Sequence, residues 1–107
     1  MTITQKLTAA IVATLALGAA SSAVAERSGE EIYNNYCTAC HQTGAAGAPK
    51  LDATSEWQSR LDEKGREKLY QNSINGFNAM PPKGTCSDCS DAEMKIAVDY
   101  MLEEALK

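Results

Sequence analysis

Cys37-Thr38-Ala39-Cys40-His41 gathers the most reactive side chains of the sequence into five positions. On a helix, residues three and four apart share a face, so two thiols and an imidazole can point the same way. Thiols at this spacing can reach the two vinyl groups on one side of a porphyrin, and the next residue then sets an imidazole over the iron. C-x-x-C-H is accordingly the attachment pattern of a c-type haem, with Cys37 and Cys40 as the covalent anchors. His41 is the one histidine of the sequence and therefore the one candidate imidazole ligand.

A haem iron that only carries electrons needs a second axial donor on the far side of the ring, and a thioether paired with histidine suits that role. Met80, Met94 and Met101 are the candidates beyond residue 25. Met94 and Met101 lie at helical spacing, which reads as core filling. Met80 lies in Phe77-Asn78-Ala79-Met80-Pro81-Pro82-Lys83-Gly84, where the prolines stiffen the backbone and Pro81 biases Met80 toward an extended conformation. A stiff loop can hold a thioether against iron, so Met80 is the expected partner of His41.

The elements that must position these groups are all helical. Ser28-Gly29-Glu30-Glu31 is a capping-box pattern that starts a helix carrying Ile32, Tyr33 and Tyr36 toward Cys37. Gly44 to Pro49 reads as a loop. Ser55 is the expected cap of a short helix with Trp57 and Leu61. Gly65 interrupts it, and a second piece carries Leu69, Tyr70 and Ile74 up to Gly76, placed just past a helix end. Asn78 to Cys89 reads as irregular. Ser90-x-x-Glu93 is a second capping box, opening a last helix with Met94, Ala97, Val98, Met101 and Leu102 on one face. No strand run, repeat or low-complexity tract occurs. The predicted fold class is all-α, with four or five short helices around one covalent haem.

The first 25 residues predict a cleaved secretory signal peptide. Lys6 precedes an apolar run from Leu7 to Ala20, and Ala23-Val24-Ala25 supplies an A-x-A end before Glu26. The run is shorter than the ~20 residues needed to span a bilayer, which argues against a retained anchor. Residues 26–107 then form the one domain, exported to an oxidising compartment, the periplasm, with no membrane span of its own. The sequence holds 10 basic and 14 acidic residues, a formal charge of −4 that becomes −5 once Lys6 is removed. That balance argues against nucleic acid as a partner and favours redox proteins with a basic docking patch. Large aliphatic residues and Phe make up less of the domain than the roughly 20% below which disorder is the default. A bound apolar group must therefore supply part of the core, and the apoprotein is expected to be largely unfolded.

CTACH, GFNAMPPKG and the closing helix segment AVDYM together resemble class I c-type cytochromes. The Cys86-Ser87-Asp88-Cys89 insertion before the last helix is similar to the cytochrome c5 group. The resemblance runs from about residue 28 to 103. It implies haem c with His41 and Met80 as axial iron ligands, and it implies that Gly29 and Tyr33 on the first helix meet Tyr100 on the last. It also implies that the Pro49 carbonyl accepts from the ligand imidazole, and that Trp57 and Arg60 reach a haem propionate. The residues themselves also allow a core Trp and a solvated Arg. Export and the resemblance together make Cys86 and Cys89 a disulfide, worth roughly 2 kcal/mol for so small a loop. A redox-active pair would call for a thioredoxin-like βαβ pattern, which is missing.

The function this implies is a soluble monohaem electron carrier between respiratory redox partners, a monomer or weak dimer and not an enzyme. No second histidine is present for acid–base work. A dedicated electron-transfer subunit of an enzyme complex differs only in partnership. A haem-based sensor would require a labile Met80. A zinc domain built on the two C-x-x-C pairs would need a spacing of 15–20 residues between them, and the separation here is far longer.

Overall fold

The computed structural model describes residues 26–107, so the predicted leader lies outside the described residues. Ser28 Oγ accepts the Glu31 backbone N–H at 3.1 Å and starts α1 (Gly29–Ile32). The helix then widens into a π turn (Tyr33–Cys37) and resumes as α2 (Thr38–His41). Such single π turns inside helices often mark functional sites, and this one ends on the first cysteine of the motif. A 3-10 turn (Ala45–Gly47) follows, entered through Gly44 at φ 81°. Next come α3 (Thr54–Lys64) and α4 (Arg66–Asn75), parted by Gly65, and finally α5 (Asp91–Ala105). Ser90 and Glu93 complete a reciprocal capping box at the start of α5. The described residues contain no strand, only an isolated bridge between Phe77 and Met80. The fold is all-α, as the periodicity predicts.

One start signal is misplaced. Ser55 does not cap α3. The helix begins a residue earlier, at Thr54, and Ser55 lies in its first turn. The backbone decides this, since the Ala53 N–H closes onto Lys50 O at 2.9 Å and the Ala53 carbonyl already accepts from Glu56 and Trp57 at 3.1 Å.

The long helix α5 organises the interior. Val98, Met101, Leu102 and Ala105 pack with Tyr33, Trp57 and Leu69, while Met94 and Ala97 pack with Ile32 and the two cysteines 86 and 89. Where α1 crosses α5, the chains touch at Gly29. A Cβ there would fall 2.5 Å from the Ile96 carbonyl oxygen and 2.8 Å from Tyr100 Cβ. Next to this crossing the Tyr33 and Tyr100 rings stand 5.7 Å apart. The expected meeting of Gly29 and Tyr33 with Tyr100 is thus present. On the far side, Asp99 of α5 accepts from Arg66 at 2.7 Å and Tyr70 at 2.5 Å, joining α4 to α5.

Candidate metal and cofactor site

The two motif cysteines are free thiols in different surroundings. Cys37 is half-buried at the end of the π turn, and Cys40 is exposed on α2. Burial pushes the Cys37 thiol up to about 11. Cys37, Cys40 and His41 do not fall into a grouping with metal-ligating geometry among the described residues, which disfavours zinc here. The other pair offers no thiolates. Among the described residues, the grouping with metal-ligating geometry is Cys86, Asp88 and Cys89, and its two sulfurs are joined in a disulfide.

His41 is buried, and its Nδ1–H donates to the Pro49 carbonyl at 2.8 Å. The His41 carbonyl in turn accepts the Leu51 N–H at 2.8 Å. The far end of the loop after the motif is thus tied back to both the side chain and the backbone of this residue. The contact to Pro49 occupies one ring nitrogen as a donor and leaves the Nε2 lone pair for a metal, the usual way a ligating imidazole is held in one tautomer. Burial pushes the imidazolium downward and the nearby Arg60 charge adds to this, against the raising effect of the Pro49 contact. The neutral, ligand-competent ring is favoured.

Trp57 packs its ring 5.7 Å from that of His41, and its indole N–H donates to Lys50 O at 2.9 Å. The expectation of a Trp57 contact to a propionate is corrected to that extent, because its single donor is already used by a backbone carbonyl that the His41 loop presents. Arg60 differs. Its Nη2 donates to Glu56 at 2.9 Å, while Nε is buried and has no partner among the described residues. Buried guanidinium nitrogens are seldom left so. The orphaned N–H calls for an acceptor, and an anionic group of a bound cofactor would supply one, so the residues present fit a haem.

Met80 is partly buried at the end of a tight reversal, in which Phe77 and Met80 exchange backbone hydrogen bonds of 2.9 Å with Asn78 at φ 53°. Gly76, at φ 95°, lies under the loop. A Cβ there would come within 3.1 Å of Met80 O and Pro82 N. Thr85 Oγ1 donates to Tyr36 O at 3.0 Å, which carries this loop to the π turn beside Cys37. The structure therefore brings the loops of Pro49 and Met80 to opposite ends of the segment bearing the C-x-x-C-H motif.

Arg27, Glu93 and Lys83 go unnoticed in the sequence as site-supporting residues. The Arg27 backbone N–H and Nε reach Glu93 Oε2 at 3.0 and 2.9 Å, and Nη2 reaches Oε1 at 3.0 Å. The same guanidinium lies 3.6 Å from Cys89 Sγ and over the Tyr36 ring. Glu93 is recognisable as a cap, but a partner 66 positions away leaves no periodic signal.

The family model described as "Cytochrome C oxidase, cbb3-type, subunit III" matches residues 24–101. Cytochrome c5 of Azotobacter vinelandii is 50% identical over 76 residues, covering 70% of this chain and 92% of the relative. Cytochrome c5 of Ectopseudomonas mendocina is 45% identical over 84 residues, covering 78% and 97%. Among solved structures, a mono-heme ferrocytochrome c from Shewanella putrefaciens aligns with a TM-score of 0.62 at 42% identity, covering 73% of this chain and 95% of that one. A chain in the electron transfer complex of nitrite reductase with cytochrome c aligns with a TM-score of 0.66 at 36% identity, covering 72% and 93%. With C-x-x-C-H on a helix, a pre-oriented imidazole and an all-α frame around them, the chain belongs to the class I c-type cytochromes of the cytochrome c5 group, carries one covalently bound haem c, and works as an electron carrier.

Proposed function

We propose that this chain is an exported, periplasmic monohaem shuttle whose iron is held by His41 and Met80, with the haem joined to Cys37 and Cys40. The observation that carries the reading is the His41 Nδ1–H bond to Pro49 O at 2.8 Å. It orients a buried, neutral ring with Nε2 free. When bound, haem would supply one-electron exchange at its iron. The Pro49 carbonyl raises the basicity of the His41 ring. The Met80 thioether favours the ferrous state and raises the potential. Arg60 Nε would hold a propionate, and Trp57 packs against His41 and covers it. Two strong ligands leave no site for a substrate.

Partner contact follows from the charge layout. No Asp, Glu, Lys or Arg occurs between Glu31 and Lys50 or between Lys68 and Lys83. The segments that bear the ligands are thus uncharged, and the acidic excess lies on the remaining helices. That excess steers a partner with a basic patch at long range, while the closing contact is made by small uncharged side chains. A nitrite reductase is one class of acceptor that fits, by likeness to the complex described above. The protein acts as a monomer or weak dimer.

A fixed oxidase subunit is the second reading, favoured by the description of the matching family model. Coverage of 92% and 97% of two cytochromes c5 supports the shuttle. The deciding experiment is export from a host with haem-attachment machinery, followed by intact mass and spectra of both oxidation states. Residues 26–107 plus one haem, a low-spin spectrum and the weak methionine-to-iron band are expected. A haem adduct without that band that binds carbon monoxide would remove Met80 as a ligand and make the protein a ligand sensor. Copurification with an oxidase would favour the subunit.

A further inference from the structure

We infer that Lys83 is the positioning residue for the Met80 thioether, an assignment that rests on Met80 being the second axial ligand. Pro81 and Pro82 have no backbone N–H, so the two residues after Met80 donate nothing that could lock the loop. Lys83 is the first residue past them that can, and it is tied at three atoms to three parts of the fold. Its backbone N–H donates to Ser73 O on α4 at 2.8 Å, and its carbonyl accepts the Cys86 N–H at 3.0 Å. Its ammonium donates to Cys89 O at 2.7 Å and pairs with Asp91 in the first turn of α5 at 3.2 Å. Within residues 77–84, the Lys83 side chain is the one that makes a hydrogen bond among the described residues.

The backbone at this position reinforces the assignment. Lys83 adopts φ 60°, in the left-handed region that penalises a side chain. Glycine would be the easy choice, and one stands next door at Gly84. Unlike Ala46 and Asn78, which share this backbone region, Lys83 puts its side chain to use in two contacts. The disulfide gains a role in the same stroke. It folds residues 86–89 so that the Cys89 carbonyl faces back toward the loop, where the ammonium meets it. Disulfide turn, Lys83 and Met80 loop form one strut between α4 and α5. In the holoprotein this strut resists the outward swing of the loop that would free the thioether.

The test uses the haem-loaded protein and three readouts: the ferric methionine-to-iron band, the rate of carbon monoxide binding to the ferrous form, and the reduction potential. Lys83→Met keeps the aliphatic stem and removes the ammonium. The band should weaken, the potential should fall, and carbon monoxide should bind about tenfold faster, the factor expected for losing one hydrogen bond to a charged group. Lys83→Arg retains a cationic donor and should restore most of each change. Replacing Cys86 and Cys89 together by serine should move the readouts in the same direction, and adding Lys83→Met to that variant should change little more. If Lys83→Met fails to load haem, Asp91→Asn decides, with a smaller shift of the same sign. Unchanged readouts in Lys83→Met, or in Asp91→Asn where that variant decides, with the band intact in the unsubstituted protein, would overturn the assignment alone. Absence of the band from the unsubstituted protein would overturn Met80 ligation and this assignment with it.

Discussion

The indole of Trp57 does two jobs beside His41. It packs 5.7 Å from the His41 ring, and its N–H caps the Lys50 carbonyl in the strap that returns to His41. Phenylalanine would keep most of the packing and lose the donor. Trp57→Phe should therefore destabilise the holoprotein by about 1–2 kcal/mol, the cost of a lost buried hydrogen bond, read from denaturant midpoints, with haem content unchanged. The C-x-x-C-H motif was legible at this scale because one helical turn sets its geometry. The Pro49 contact to His41, and the expectation that Arg60 meets a propionate, were reachable only through family resemblance. A carbonyl acceptor and an orphaned Nε are properties of three-dimensional neighbours, and side-chain type does not announce them.

At the scale of elements, the joint between α1 and α5 depends on a missing side chain. A methyl group at Gly29 would meet the Ile96 carbonyl oxygen at 2.5 Å. Gly29→Ala should thus cost about 1–3 kcal/mol through overpacking, outweighing the roughly 0.5–1 kcal/mol gained in helix propensity. Chemical denaturation of the holoprotein measures the difference. The start of α5 has a pH signature. The Arg27 guanidinium, helped by the Ser90 N–H, lowers the Glu93 carboxyl from 4.5 to about 2. A depressed carboxylate stabilises the fold fully above its unfolded value, and the contribution is lost as pH falls from 4.5 toward 2. Unfolding followed across that window should show a steep acid limb in the unsubstituted protein and a flatter one in Glu93→Gln. Caps at Ser28 and Ser90 were legible because a capping box is local. The start of α3 was not, because its turn is set by backbone closure at Lys50 and Ala53.

For the whole molecule, the interior is assembled largely from α5 and the residues that lean on it. The Met80 loop and the exposed Cys40 contribute little to that packing. Bound haem would add the apolar surface that these segments lack. A variant without either motif thiol, made as Cys37→Ala with Cys40→Ala, should lack a cooperative thermal transition by far-UV circular dichroism in the absence of haem. A sharp transition would show that helix packing alone suffices.

Composition, two capping boxes and the five residues from Cys37 to His41 determined the all-α class and the cofactor, and singled out the one candidate imidazole. These features act over one or two helical turns, where sequence spacing and spatial spacing are the same thing. Tertiary structure alone decided that Arg27 would hold Glu93, that Trp57 would spend its donor on Lys50, and that Lys83 would brace the Met80 loop against Cys89 and Asp91. Those contacts join segments whose separation along the chain carries no period. Their partners become neighbours only when α1, α4 and α5 have packed.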